Sequence, residues 1–305
     1  TLAAKLENLP EPRAVVWLPN AHRLVVACGG DGSARVFKPG EDQGKDGPAY
    51  IEERKIEFAG ESDAVIVDQD DVKAVGGAAA VWVAHAMAIT RIDLVSGEKT
   101  ASVALPGRAD GMVIGDVDGR RMIYVNVPRP ESTPEAPNPR PSVLAIDSET
   151  GQIVSAWTLD DAKNNGAIAL DEQNARLFVV TRFPAKLIVL DARDGREVAR
   201  LDAPGDVGSI CYDPRLQRLF APGGAEGGKL AVFQRTGVGA PLDPTVAPGA
   251  KETPGEIDHY QRVHVSPTLA GCRTAVLDPR ERLLIAAAPP LGGEPVFVFV
   301  YMIGP

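Results

Sequence analysis

Short apolar runs recur along this chain, each followed by a polar turn and a second apolar run. The segments AVVWLPNAHRLVVA (14–27), AVIVDQ to VWVAH (64–85), GMVIGDVDGRRMIYVN (111–126), GAIALDEQNARLFVV (166–180), SICYDPRLQRLFAP (209–222) and TAVLDPRERLLIAA (274–287) share this plan. In each, a strand leads into a turn usually carrying Asp or Pro, and a second strand opens on Arg-Leu or its equivalent. The first strand of each unit is apolar on both faces, as in AVIV and AIAL, which is the pattern of a strand packed between neighbouring sheets. No window holds a 3.6-residue apolar period for three turns without a Pro, a Gly or a β-branched run, so helices are not expected.

A second half of the unit recurs in RIDLVSGEKTASVAL (91–105), LAIDSETGQIVSAWTL (144–159) and LIVLDARDGREVARL (187–201). Each has a strand ending in Asp, a tight turn and an alternating strand. The phrase Asp-x-x-x-Gly places Asp93, Asp147 and Asp191 four residues before Gly97, Gly151 and Gly195. A carboxylate at that spacing caps the turn backbone, while glycine takes the positive φ that strains other residues. Four short strands per unit of ~40–50 residues define a propeller blade. The expected fold is an all-β β-propeller of four-stranded blades, six by count with seven left open, in one domain over residues 1–305. The N-terminal segment AAKLENL (3–9) is expected to supply the outer strand of the last blade, which removes exposed sheet edges. Pro-, Gly- and charge-rich stretches at 39–50, 128–141 and 237–257 read as loop insertions.

Composition narrows the partners. The formal net charge of -9 argues against nucleic acid or an anionic membrane surface, both of which need a basic face. No run approaches the ~20 apolar residues of a membrane span. The three cysteines, Cys28, Cys211 and Cys272, are odd in number and scattered, and read as small buried hydrophobes rather than a disulfide framework. The opening Thr1 fits removal of a signal peptide, so export is the expectation.

GGDGSARVF (29–37), LFVVTRFPAKLIVLDARDGREVARL (177–201), SICYDPRLQRLFAPGG (209–224) and CRTAVLDPRERLLIAA (272–287) together resemble the bacterial YVTN/YncE-like β-propeller family. That resemblance implies an exported propeller, usually of seven blades, and no single chemistry. Where members often carry His before the first inner strand, this chain has Arg13.

In a propeller, the loops leading into the inner strands meet those joining second to third strands at one mouth of the central channel. The residues just before the inner strands are Arg13, Asp63, Asp110, Asn165, Asp206 and Arg273, and the second set adds Asp31, His85, Asn126, Arg129, Arg182 and Glu226. Turn chemistry alone also favours Asp and Asn at such positions. As a site, this set suits a small polar ligand or a protein partner. Asp63, Asp110 and Asp206 with Asn126 and Asn165 offer hard oxygen ligands for Ca²⁺, though no local spacing demands it. No GxSxG elbow, phosphate loop or HxxxH pair occurs. The reading is a recognition module without a catalytic signature. Its alternative is a lyase or lactonase using acids and His85 at the channel, with or without Ca²⁺.

Overall fold

The structure, a computed structural model, describes residues 6–42, 48–68, 79–134, 136–236, 258–290 and 296–304. Among them there is no helix. The strands form six antiparallel sheets, the blades of a β-propeller. Blade one holds β1 (Pro12–Leu18), β2 (Arg23–Cys28), β3 (Ser33–Asp42) and β4 (Pro48–Glu57), and blade two holds β5 (Ser62–Asp68), β6 (Ala80–His85), β7 (Ala88–Asp93) and β8 (Lys99–Ala104). Blade three is β9 (Gly111–Val117), β10 (Arg120–Val127), β11 (Ser142–Asp147) and β12 (Ile153–Thr158). Blade four is β13 (Lys163–Asp171), β14 (Arg176–Phe183), β15 (Ala185–Asp191) and β16 (Glu197–Asp202). Blade five is β17 (Cys211–Asp213), β18 (Arg218–Gly223), β19 (Lys229–Thr236) and β20 (His259–Pro267). Blade six has, among the described residues, β21 (Thr274–Asp278), β22 (Leu283–Ala288) and β23 (Phe297–Met302).

The chain divides into two compact units, Thr1–Ile114 with Arg121–Ala156, and Gly115–Arg120 with Trp157–Pro305. In the first, Val25, Val36, Val65, Val81 and Ile92 form one core, and Trp82, Ile89, Ile123, Val125 and Leu144 form another. In the second, Phe178, Leu187, Val189, Leu219 and Phe233 are buried together. These are the apolar positions of the middle strands, whose two faces both lie against protein, which explains runs such as VWVA without alternation.

The Asp-x-x-x-Gly turns form as the sequence predicts. Gly97, Gly151 and Gly195 have φ of 77°, 69° and 75°, and each donates its amide to the carbonyl of Asp93, Asp147 or Asp191, at 2.7, 2.9 and 2.8 Å. The Asp93 carboxylate accepts from the amides of Val95 (2.9 Å) and Ser96 (2.7 Å), and Asp147 accepts from Glu149 (3.1 Å) and Thr150 (2.9 Å). The Ser96 amide is the main reason the Asp93 carboxyl lies below its ordinary value, ahead of the opposing effect of desolvation. Charge on the turn carboxylate strengthens these bonds, and the third-to-fourth-strand hairpins follow.

Three expectations need revision or lie out of view. Residues 39–42 and 48–50 are strand rather than loop, since β3 and β4 pair as far as Asp42 with Pro48. Pro39, Gly40 and the nearby charges hid the hairpin, which accommodates them with irregular register between Pro39 and Asp42. Residues 128–134 and 136–141 carry no strand, and 237–257 lie outside the described residues. The N-terminal segment is not a strand over 6–11. Asn8 and Glu11 have positive φ of 59° and 47°, which breaks an extended run. Leu6 and Leu9 instead pack beside Val26, Cys28 and Phe37 of blade one. Residues 3–5, the rest of the predicted closing strand, lie outside the described residues. Cys28, Cys211 and Cys272 are free thiols, and burial pushes Cys211 up to about 11.

Candidate functional site

Every blade has a leading edge, where its inner strand begins and its second strand ends. Ser62 pairs with His85 there in blade two, and Asn165 pairs with Thr181 in blade four. The predicted residues therefore occupy equivalent topological positions, and the two units are described in turn.

In the first unit, the Arg108 guanidinium bonds both Glu61 and Asp63 at 2.6 Å, tying the segments that lead into blades two and three. Arg108 pulls the Glu61 carboxyl below its ordinary value. Sequence reasoning missed Arg108, although it stands in the same lead-in segment as Asp110. The Asp110 amide donates to the Asn126 carbonyl at 3.0 Å, and the Asn126 side chain is fully buried. Arg13 pairs with nearby Glu11 at 2.9 Å. Asp31 is held in its turn by Ser33 (2.6 Å), Arg35 (2.7 Å) and Lys55 (3.3 Å). Desolvation pushes its carboxyl upward, but those three partners together bring it down to about 2. That is the chemistry of a structural turn.

His85 stands at the leading edge of blade two as expected, opposite Ser62, with its ring engaged by neighbouring side chains. Its ring stacks on Phe58 with centroids 4.3 Å apart, and Nε2 shares a 2.8 Å hydrogen bond with Thr90, which in turn reaches Ser102 at 3.0 Å. Burial, then the nearby Lys99 charge, lowers its pKa. Burial thus favours the neutral imidazole, which is engaged between strands β6, β7 and β8.

In the second unit, three predicted residues do meet. Asp206 lies 3.7 Å from Arg182 and 3.3 Å from Arg273. Asp206 has a positive φ of 55°; its carbonyl accepts from the Gly224 amide at 3.1 Å, and Val207 bridges to Gly223. These backbone contacts fix the lead-in to β17 against the end of β18. The Arg273 carbonyl accepts from the amides of Gly208 (2.8 Å) and Ser209 (3.0 Å), joining the lead-ins of blades five and six. Asp206 and Arg273 then border a cleft of about 540 Å³ with Gly271, Thr274, Ala287, Ala288, Pro289 and Val296. Two guanidinium groups thus approach the Asp206 carboxylate, and the cleft bordered by Asp206 and Arg273 has a wall of small apolar groups. The apolar wall was not read from sequence, because Ala and Pro there look like ordinary strand-end residues. Asn165 is fully buried in β13. Glu226 is committed to Lys229 at 2.7 Å, and Arg129 precedes Pro130, which bridges to Gly107 in the first unit.

Among the described residues, no three His, Cys, Asp or Glu side chains come together as a metal-holding group. Asp63 Oδ2 accepts from Arg108, and Asp206 Oδ1 faces Arg182 and Arg273, so one oxygen of each carboxylate is beside a guanidinium.

Fold and site together define a six-bladed β-propeller with a charged cleft on one leading edge. No protein-family model matches the chain, and no curated protein matches it. Among solved structures, the chain is similar to hydrazine synthase from Kuenenia stuttgartiensis (17% identity, TM-score 0.69, 96% of this chain and 84% of that one). It is similar to Sqt1 from Saccharomyces cerevisiae (14%, 0.68, 99% and 74%). It is also similar to a 6-phosphogluconolactonase candidate from Bacteroides uniformis ATCC 8492 (13%, 0.65, 96% and 82%). At these identities the likeness concerns the fold.

Proposed function

We propose that this chain is an exported recognition propeller, related to the YVTN/YncE-like family, that uses the Asp206–Arg273 cleft to hold the anionic group of a ligand or protein partner. The observation that carries the reading is Asp206 placed between Arg182 and Arg273 on the rim of the cleft. An arginine shared with a partly exposed internal carboxylate can exchange that partner for a ligand anion, and charge-assisted bonds of this kind are the strong ones. The apolar wall at Ala287, Ala288 and Pro289 gives the body of the ligand somewhere to rest. Family membership and export rest on the sequence resemblance.

Calorimetric titration with citrate as the anionic probe tests the cleft. We expect saturable binding that weakens about tenfold or more in Arg273→Ala, in line with the loss of a charged hydrogen bond. Asp206→Asn is expected to strengthen it, because the competing internal carboxylate is gone. Equal citrate affinity in wild type and Arg273→Ala sinks the proposal.

The likeness to the Bacteroides uniformis lactonase candidate keeps a second reading, hydrolysis of a sugar lactone. Acid release from 6-phosphogluconolactone at a rate above that of buffer alone decides for it.

A further inference from the structure

Among the described residues lining the blade five and blade six cleft, Asp206 and Arg273 are the charged ones, one of each sign. Their backbones are held independently of that pairing. The Asp206 carbonyl accepts from the Gly224 amide, and the Arg273 carbonyl from the amides of Gly208 and Ser209. The side-chain contact itself is a single Nη1-to-Oδ1 approach of 3.3 Å between groups that are 51% and 41% exposed. A contact of this kind adds little to stability, so the fold survives its exchange for a ligand.

Each side chain also has bonding capacity left over. A guanidinium offers five N–H donors, and among the described residues the Arg273 guanidinium donates only to Asp206. Arg182 approaches Asp206 on the same oxygen as Arg273, Oδ1, at 3.7 Å. Asp206 Oδ2 therefore accepts from none of the described side chains.

This arrangement discriminates between ligand charges. A simple anion that takes Arg273 leaves Asp206 with Arg182 alone and comes to rest beside a carboxylate that repels it. A simple cation on Asp206 is repelled by Arg273 in the same way. A zwitterion satisfies both groups, because its carboxylate pairs with the guanidinium while its ammonium pairs with Oδ2. One internal ion pair is then replaced by two charge-assisted contacts, and neither side chain is left without an opposite charge. The two ligand charges must be close neighbours, as Asp206 and Arg273 are. An α-amino acid carries both on one carbon, whereas either end of a peptide carries a single charge. Ala287, Ala288, Pro289 and Val296 stand beside the pair as an apolar wall for the side chain. The cleft, at about 540 Å³, falls in the size range of small-molecule pockets.

Resting on the cleft reading, we infer that the ligand is a free α-amino acid with an apolar side chain. Arg273 holds its carboxylate, Asp206 Oδ2 accepts from its ammonium, and the side chain lies against Ala287, Ala288 and Pro289.

Calorimetric titration of the full chain near pH 7, where leucine is a zwitterion, provides the test, with L-leucine, leucinamide and 4-methylpentanoate as probes. Leucinamide keeps the ammonium, 4-methylpentanoate keeps the carboxylate, and all three share the same branched body. Leucine is expected to bind about tenfold or more tightly than either, as one additional charge-assisted bond implies. Asp206→Asn is expected to weaken leucine about tenfold while it strengthens citrate. Asparagine tolerates the positive φ of 55° at this position, so the lead-in keeps its conformation. Leucine binding no more tightly than leucinamide or 4-methylpentanoate overturns the proposal, as does Asp206→Asn strengthening leucine along with citrate. If citrate still binds through Arg273 in either case, the cleft reading stands without the amino acid; if citrate also fails, both fall.

Discussion

Replacing Asp258 with alanine is expected to cost about 3 kcal/mol or more, the range for removing one partner from a buried ion pair. Asp258 stands immediately before β20, and only 5% of the residue is exposed. Its carboxylate accepts from the Arg176 Nε at 2.5 Å and from the Arg235 guanidinium at 2.5 and 3.2 Å. Arg176 also bonds Asp191 at 2.8 Å, so one carboxylate anchors blade five to the second and third strands of blade four. Desolvation alone raises the Asp258 pKa, but Arg235 and Arg176 outweigh it and hold the carboxyl below its ordinary value of 3.8. A depressed folded value means that the stabilisation is fully present above the unfolded value and is lost as pH falls through the folded one. Chemical denaturation at neutral pH should show the full deficit in Asp258→Ala. Below about pH 4 the gap between wild type and variant should narrow. A deficit under about 1 kcal/mol at pH 7, the level of an exposed pair, contradicts the anchoring role.

Gly195→Ala should be nearly as damaging, and Gly151→Ala provides the contrast. Both glycines close equivalent Asp-capped turns at φ near 70°, so each substitution incurs about 1–2 kcal/mol for a left-handed alanine. At Gly151 a new Cβ meets only Val103, at 3.5 Å, an ordinary contact. At Gly195 it falls onto the indole of Trp157, inside any allowed carbon–carbon distance. We expect Gly195→Ala to lose roughly 3–4 kcal/mol and to melt roughly 6–10 °C below wild type, with Gly151→Ala losing about half as much. Equal melting of the two variants shows that Trp157 moves aside freely and removes the steric part of the argument.

The turns were legible because Asp and Gly act locally, through hydrogen bonds and a φ sign that five consecutive residues determine. The blade count was legible because the strand–turn–strand unit recurs six times along the chain. The N-terminal segment misled for the opposite reason. Leu6 and Leu9 look like strand residues, but where they pack depends on the distant pocket beside Val26 and Phe37. His85 likewise carries no local mark of its stacking on Phe58, which comes from blade one. The meeting of Arg182, Asp206 and Arg273 was foreseeable from their equivalent positions before and after strands. The pairing of Asp63 with Arg108 was not, because it depends on which lead-in residue turns toward the neighbouring blade.

The central claim is that the blade five and blade six leading edge is where this propeller recognises its partner. Amide chemical-shift mapping of the isotopically labelled chain during citrate titration tests it most directly. The account predicts the largest shifts at Gly205–Gly208, Gly271–Thr274 and Ala287–Ala288, the residues that frame and line the cleft. A second cavity of about 340 Å³ lies in the first unit, where Arg91 and Arg121 flank Asp68 at 3.4 and 3.5 Å. Shifts gathered there, with Arg273 and its neighbours unmoved, contradict the account.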